Sequence, residues 1–350
     1  MSTVWSVGRI NEWWHRAGWV FGCNFTPSTA GNQIEFWSAN TFDLDVIDRE
    51  LGYAESLGMN TVRVYLHNLL WEHETTDFLS RIDTFLGVAA SHRIRVMPVL
   101  FDGVWNPEPR WGPQPDPVPG VHNSIWVQSP GAAVMHDPTS WSSLVPYVEN
   151  VMAQFADDPR VLAWDLFNEP DQLDLNTIVA GSRDAKSAAA TALVREVFAW
   201  ARGAKPSQPL TVGLWEYDEC SLAATELNDL IVNESDLISF HCYLPRDQLT
   251  RVIAELQQNQ RPMVCTEWLA RSEGSTADLI DVFAEADVGA MNWGLVAGRT
   301  QTQFPWKSWW ETVSDDEPWF HELLHPNGDP YDREEAAVLL RAARRKLRPS

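Results

Sequence analysis

Short apolar runs alternate with longer amphipathic stretches along most of this chain. Runs that are rich in β-branched and aromatic residues predict eight strands, at residues 19–25, 61–67, 94–101, 161–168, 210–215, 237–243, 262–267 and 288–293. Because parallel strands need a long crossover, which is usually a helix, this alternation is typical of a parallel sheet.

The stretches between the runs predict helices by their spacing of three and four. Residues 43–57 place one apolar stripe on a single face, made of Leu44, Ile47, Leu51, Ala54 and Leu57. Asp137 followed by Pro138 predicts a helix start, with the helix running toward residue 155. Residues 334–347 predict a final helix with basic residues at its carboxyl end, where positive charge is favourable.

The strand count favours a closed barrel over a doubly wound sheet. A doubly wound sheet usually has fewer strands and a glycine-rich phosphate turn after the first one, but residues 25–28 read Phe-Thr-Pro-Ser. We therefore predict a single α/β domain over residues 1–350, a (β/α)8 TIM barrel. Two long insertions, residues 102–136 after strand three and residues 294–330 after strand eight, are predicted to wall a pocket at the barrel mouth.

Composition narrows the possible functions. A net charge of -22 argues against nucleic-acid binding, which needs clustered Lys and Arg. No apolar run approaches the roughly 20 residues that span a bilayer, and the first residues do not look like a secretory signal, so we expect a cytoplasmic protein with no membrane partner. The four cysteines lack metal-type spacing and are expected to be free thiols, and neither a metal nor another cofactor is implied.

The candidate chemistry lies at the ends of two predicted strands. Glu169 follows strand four in an Asn-Glu-Pro turn, and Glu267 ends strand seven. Catalytic groups of TIM barrels sit at the carboxyl ends of strands, and retaining glycosidases need two carboxyl groups roughly 5 to 5.5 Å apart. We predict Glu169 as the general acid/base and Glu267 as the nucleophile. The 19 tryptophans favour a carbohydrate ligand weakly, since their flat rings stack on sugars.

From about Trp19 to Trp293, the chain resembles the retaining glycoside hydrolases of clan A, and most closely glycoside hydrolase family five, the cellulase and mannanase family. The resemblance implies that Arg63 on strand two lies near the nucleophile, where its charge would keep Glu267 ionised. It also implies that Asn168 hydrogen-bonds the sugar 2-hydroxyl.

Further site residues follow from the same resemblance. The pair His241 and Tyr243 matches the family's His-x-Tyr at strand six, and strand alternation directs both side chains to one face. Tyr243 is expected to orient Glu267, and His241 to tune the protonation of Glu169. Trp293 matches the tryptophan that forms the floor beneath the reacting sugar.

One position departs from the family pattern. Family members commonly carry a histidine at the end of strand three, where this chain has Asp102. We expect Asp102 to replace that histidine as an acceptor for a sugar hydroxyl, which would change the sugar that fits. Trp105, Trp215 and Glu216 are further candidates for sugar contact, although each is equally compatible with a place in the wall or core.

These observations predict a retaining, exo-acting glycosidase that cleaves β-linked short oligosaccharides or glycosides. Three alternatives remain open at the level of sequence: an endo-acting mannanase, glucanase or xylanase, a furanosidase on the same fold, and a sugar-binding barrel without catalysis. The expected partner is an oligosaccharide or glycoside. The sugar, the linkage and the oligomeric state are not determined by the sequence.

Overall fold

The computed structural model describes residues 3–172, 183–218, 221–314 and 316–346. Eight strands form one parallel sheet: β1 (Phe21–Asn24), β2 (Thr61–Tyr65), β3 (Arg95–Asp102), β4 (Trp164–Asn168), β5 (Leu210–Thr211), β6 (Ile238–His241), β7 (Met263–Glu267) and β8 (Gly289–Asn292). Consecutive strands pair from β1 to β5 and from β6 to β8, and β1 pairs with β8. A parallel bridge from Leu214 to Phe240 joins the segment after β5 to β6. The predicted (β/α)8 barrel is confirmed.

Helices surround this barrel: α1 (Val7–Ala17), α2 (Gln33–Trp37), α3 (Leu44–Ser56), α4 (Asn68–Ser91), α5 (Ala132–Met135), α6 (Val145–Gln154), α7 (Arg183–Gly203), α8 (Glu226–Glu234), α9 (Arg246–Leu256), α10 (Ile280–Glu285) and α11 (Arg333–Lys346). Among the described residues, no helix combines the length and the apolar character that crossing a bilayer requires. A short hairpin that pairs Tyr217 with Leu222 was not predicted.

Two helix predictions need correction in detail. In α3 the side chain of Asp43 caps Val46 N at 3.1 Å, but Leu44 is 40% exposed and does not belong to the buried stripe. The helix predicted from Asp137 begins only at Val145. The carboxylate of Asp137 accepts hydrogen bonds from the amide and hydroxyl of Thr139, two residues on, and this local turn replaces a helix start.

The core has three parts. The largest apolar cluster lies between the strands and the surrounding helices. A second cluster contains Trp5, Ile10 and Trp14 from the amino-terminal segment, packed against residues of several strands such as Met97 and Val264. A third joins Tyr65, Trp126 and Trp293 by edge-to-face ring contacts. Three of the four cysteines are buried free thiols, and Cys220 lies outside the described residues.

Asp236 ties the amino-terminal segment and α7 to the barrel. Its side chain is fully buried and accepts hydrogen bonds from Trp5 N at 2.7 Å and Leu210 N at 2.9 Å. The same carboxylate forms an ion pair with Arg202, with N–O distances of 2.6 and 2.9 Å. One carboxylate therefore satisfies donors from three separate parts of the chain.

We expect Asp236→Ala to lower the free energy of unfolding by about 3–5 kcal/mol, because it leaves Arg202 as an unpaired buried charge. The matched control is Asp278→Ala, which removes the pair of Asp278 with Arg246, whose side chains are 57% and 49% exposed. That exposed pair contributes at most about 1 kcal/mol. Urea unfolding of both variants measures the difference, and equal losses would contradict the anchoring role of Asp236.

Candidate active site

The two strand-end glutamates meet at the mouth of the barrel. Glu267 is the last residue of β7 and Glu169 directly follows β4. Both carboxyl groups line a cavity of about 590 Å³. One oxygen of each, together with a ring nitrogen of His241, falls within 4.8 Å of the others. The spacing between the glutamates is short enough for both carboxyl groups to reach one glycosidic bond.

The backbone at Glu169 is held in an unusual conformation. Its φ is 39°, a region that residues other than glycine rarely adopt. The neighbouring loop approaches this turn so closely that a Cβ at Gly103 would lie 2.3 Å from Glu169 O and 2.8 Å from Pro170 Cα. Glycine at position 103 thus permits the packing that holds the turn, and strained backbone of this kind clusters at functional sites.

Arg63 is fully buried and connects three barrel strands. Its Nε donates to Asp165 at 2.9 Å, and its Nη1 donates to Glu267 at 2.8 Å and to Asn24 at 2.8 Å. Its Nη2 donates to Asn168 at 2.8 Å. Burial by itself would lower the pKa of Arg63, but the neighbouring Tyr65, Asp165 and Glu267 raise it above the ordinary value, so the guanidinium stays charged.

Glu267 accepts hydrogen bonds at both carboxylate oxygens. Oε1 accepts from Arg63 and from Tyr65 OH at 2.8 Å, and Oε2 accepts from Tyr243 OH at 2.8 Å. Burial tends to raise the pKa of Glu267, but His241, Arg63 and the two tyrosine donors outweigh it and hold this pKa below the ordinary value of 4.5. The geometry therefore favours an ionised Glu267.

Glu169 lies in a different environment. Burial raises the pKa of Glu169 above 4.5, although the contact with His241 acts in the opposite direction. His241 Nδ1 is 2.6 Å from Glu169 Oε1 and 3.6 Å from Glu267 Oε2. His241 Nε2 has no hydrogen-bond partner among the described residues, and a Cβ at Gly213 would lie 2.9 Å from it. Two glutamates with pKa values shifted apart can divide acid and nucleophile chemistry between them.

The atoms of Glu169, His241 and Glu267 also lie at a spacing that could hold a metal ion. The surrounding donors do not suit that use. Arg63 is 2.8 Å from Glu267 Oε1, so a metal ion would bring a second cation next to a guanidinium that cannot lose its proton. The hydrogen-bond donors around Glu267 therefore suit a reacting carboxylate better than a metal-binding one.

The structure corrects the role predicted for Asp102. Its carboxylate is fully buried and accepts four protein hydrogen bonds, from Gln33 Nε2 at 2.9 Å, Trp126 Nε1 at 2.6 Å, Asn168 Nδ2 at 3.0 Å and Val104 N at 3.2 Å. Burial raises the pKa of Asp102 to about 7, against the effect of these donors. Asp102 therefore has no free acceptor for a sugar hydroxyl, and instead fixes the amide of Asn168.

The two insertions are joined to each other above the barrel. Trp105 stacks on Trp309 with ring centroids 5.3 Å apart and planes inclined by 13°. His122 N donates to Ser308 Oγ at 3.0 Å. The backbone amide of Asn123 donates to Thr300 O at 2.8 Å. These contacts build a continuous wall on one side of the cavity.

The remaining predicted residues also line the cavity. Trp293 and Trp105 contribute to it together with Trp306 and Trp310, whereas Trp319 stacks on Tyr331 at 4.7 Å outside the lining. On the side of Glu169, Trp215 Nε1 donates to Asp171 at 3.0 Å. Next to it, Glu216 pairs with Arg183.

Sequence reasoning missed several residues of the site, namely Asn24, Tyr65, His122, Asn123 and His321. Tyr65 could have been found, because it lies two residues after Arg63 on the same strand and alternation directs both side chains to one face. His122, Asn123 and His321 lie in the long insertions, where no periodic pattern indicates which side chains point inward.

Comparison with known proteins agrees with the barrel fold. The family model "Cellulase (glycosyl hydrolase family 5)" matches residues 32–298. Among solved structures, a GH5_18 protein from Streptomyces cattleya in complex with Manb1-4GlcNAc is similar at 17% identity and a TM-score of 0.64, over 95% of this chain and 82% of that one.

Two further structures are similar. An exo-beta-1,4-mannosidase from Opitutaceae bacterium strain TAV5 has 18% identity and a TM-score of 0.63, with coverage of 93% of this chain and 59% of that one. An endo-1,4-beta-mannanase from Rhizomucor miehei has 14% identity and a TM-score of 0.59, with coverage of 94% and 95%. No curated protein matches the sequence significantly.

Proposed function

Because this chain belongs to the cellulase family, glycosyl hydrolase family 5, we propose that it is a retaining, exo-acting β-glycosidase for short oligosaccharides or glycosides. The observation that carries the proposal is the pair of buried carboxyl groups with oxygens within 4.8 Å of one another and pKa values shifted in opposite directions. Inverting enzymes keep their carboxyl groups about 6.5–9.5 Å apart to leave room for a water molecule.

In the first step Glu267 attacks the anomeric carbon and the bond to the leaving oxygen breaks. Glu169 transfers its proton to that oxygen, so the aglycone departs as a neutral alcohol. The product is an ester between the sugar and Glu267. The donors on Glu267, Arg63 and two tyrosines, support this role because they hold the carboxylate ionised and fix its orientation.

In the second step Glu169, now a carboxylate, takes a proton from water as the water oxygen attacks the anomeric carbon. Glu267 leaves as a carboxylate, and the two inversions together retain the configuration. His241 lies 2.6 Å from Glu169 and is proposed to adjust its protonation between the two steps. Proton transfer of this kind contributes about 10²–10⁴-fold in rate.

The binding roles follow from the same geometry. Asn168 donates one N–H to Asp102, and an amide group carries a second N–H that can reach the sugar 2-hydroxyl. Trp293 lines the cavity and is proposed as the floor beneath the reacting sugar. Trp215 and Glu216 lie on the side of the acid, where the leaving group must be, and are proposed to contact the aglycone.

Exo action is supported by the wall between the two insertions. A cleft for long polymers must be open at both ends, but the stack of Trp105 on Trp309 and the hydrogen bonds around His122 close one side. That wall adjoins Trp293 and the nucleophile side of the cavity, so it limits the chain beyond the sugar that is cleaved off. The Rhizomucor miehei protein, which has a similar fold, is an endo-mannanase. The pattern of products therefore decides between exo and endo action.

The nucleophile is tested by chemical rescue. We expect Glu267→Ala to reduce turnover of an activated aryl glycoside to background, and added azide to restore it with an inverted glycosyl azide as product. The matched control is Glu169→Ala, for which azide attacks the glycosyl-enzyme and gives the retained azide. Product configuration by proton NMR reads the result. A retained azide from Glu267→Ala would assign the nucleophile to another residue.

The pH dependence tests the acid. Glu267 must be ionised and Glu169 protonated, so kcat/KM should fall at acidic pH below the ordinary glutamate value of 4.5 and fall again at a pH above that value. With a dinitrophenyl leaving group, which needs little protonation, Glu169→Gln should lose the fall at high pH and keep the fall at low pH. Persistence of the high-pH fall in this variant would show that another group is the acid.

The mode of cleavage is tested on oligosaccharides. With reducing-end-labelled β-1,4-linked manno- and gluco-oligosaccharides, and with Manb1-4GlcNAc, we expect early release of single sugars from the non-reducing end. Chromatography of products at low conversion measures this. Trp309→Ala, which removes one half of the stack that closes the wall, should increase internal cleavage. Internal cleavage by the wild type from the earliest time points would contradict exo action.

A further inference from the structure

Two histidine rings other than His241 lie against each other in the cavity wall. His122 belongs to the insertion after β3 and His321 to the insertion after β8, and their ring centroids are 5.4 Å apart. Each side chain is about 1% exposed, yet both line the cavity. His321 also lies beyond the part of the chain that the family model matches.

The protonation of both rings is fixed by the backbone. His122 Nδ1 is 2.8 Å from Phe304 O, and His321 Nδ1 contacts Leu269 O. A carbonyl oxygen can only accept, so Nδ1 carries the proton in each ring. Burial lowers the pKa of His122 to about 4, and burial together with His122 lowers the pKa of His321 well below its ordinary value. Both rings are therefore neutral, with a lone pair on Nε2.

Asn123 extends this cluster. It lines the same cavity, is 1% exposed, and has a φ of 47°, a left-handed conformation that asparagine tolerates better than most residues. Neither its side-chain oxygen nor its side-chain nitrogen has a hydrogen-bond partner among the described residues. Buried amides without partners are rare and costly, so this one points to a ligand that completes its bonds.

The cluster lies beside the place proposed for the reacting sugar. The His321 ring is 6.4 Å from the Trp293 ring and 5.4 Å from the Tyr243 ring. Tyr243 in turn donates to Glu267, so His321 adjoins the nucleophile side of the cavity. That side holds the sugar that becomes attached to Glu267, since the leaving group departs toward Glu169.

We propose that His122, Asn123 and His321 form a hydroxyl-recognising subsite that selects the sugar bonded to Glu267. The inference rests on the proposed function and names residues that determine its specificity. Each Nε2 accepts one sugar O–H, and the Asn123 amide both donates and accepts, which suits two adjacent hydroxyls. The cluster supplies the acceptors that Asp102 cannot offer, because the Asp102 carboxylate is already saturated by protein donors.

The test removes one hydrogen-bonding group from the enzyme by substitution and the matching hydroxyl from the substrate. His122→Asn and His321→Asn keep a side-chain N–H near the position of Nδ1, to bond the buried carbonyl, and remove the acceptor at Nε2. Asn123→Gly removes the amide and tolerates the positive φ. Values of kcat/KM are measured on p-nitrophenyl β-D-mannopyranoside and β-D-glucopyranoside and on their monodeoxy analogues.

We expect each variant to lose about 10-fold in kcat/KM on the parent glycoside and almost nothing on the analogue that lacks the bonded hydroxyl. His122→Gln and His321→Gln, which can place an acceptor near Nε2, should recover part of the loss. An equal loss on the parent and on every analogue, or no loss at all, would overturn the subsite. Normal wild-type turnover in that same experiment would leave the proposed glycosidase function standing.

A second measurement does not depend on turnover. In wild-type protein with ¹⁵N-labelled histidine, addition of methyl β-D-mannopyranoside or methyl β-D-glucopyranoside should shift the Nε2 resonances of His122 and His321, as expected for nitrogens that begin to accept a hydrogen bond. Saturating sugar that shifts neither resonance would overturn the subsite. If the sugar binds in this way but the wild type hydrolyses no glycoside, the proposed function fails and the cluster stands only as a site that binds sugar hydroxyls.

Discussion

The buried guanidinium of Arg63 is the interaction on which the active centre depends. Removing such a cation from water costs several kcal/mol unless it is paired and fully hydrogen-bonded. Asp165 and Glu267 supply the compensating charges, while Asn24 and Asn168 take further N–H groups. The ion pair that offsets the burial of Arg63 therefore also holds Glu267 ionised and in place, so one arrangement serves both the barrel interior and the charge of Glu267.

The same constraint separates the two glutamates. Glu267 accepts from a guanidinium that cannot lose its proton, whereas Glu169 receives its main contact from the imidazole of His241. Burial raises the pKa of both carboxyl groups, and at Glu267 this effect is outweighed by His241, Arg63 and the two tyrosine donors together. The pKa values of two chemically identical side chains thus shift in opposite directions, because Arg63 and two tyrosines donate to Glu267 whereas Glu169 contacts His241.

The two insertions shape the cavity. The barrel strands position Glu169 and Glu267, but one wall of the cavity comes from residues after β3 and β8, which meet in the stack of Trp105 on Trp309. The wall also carries His122, Asn123 and His321, which line the cavity, and the side-chain amide of Asn123 has no hydrogen-bond partner among the described residues. If the proposed subsite is correct, substrate choice depends on loops, the part of a fold that tolerates change best.

The sequence by itself determined the barrel and the positions of Glu169 and Glu267, because strand periodicity and the rule that catalytic groups follow parallel strands are local signals. The tertiary structure decided what those signals could not carry. From the sequence, Asp102 is expected to be a free acceptor, but in the structure Trp126 and Gln33 donate to it. The wall depends on contacts between distant residues, such as that of His122 with Ser308, 186 positions later. Burial, partner saturation and pKa direction depend on groups brought together from distant parts of the chain, so only the folded arrangement fixes them.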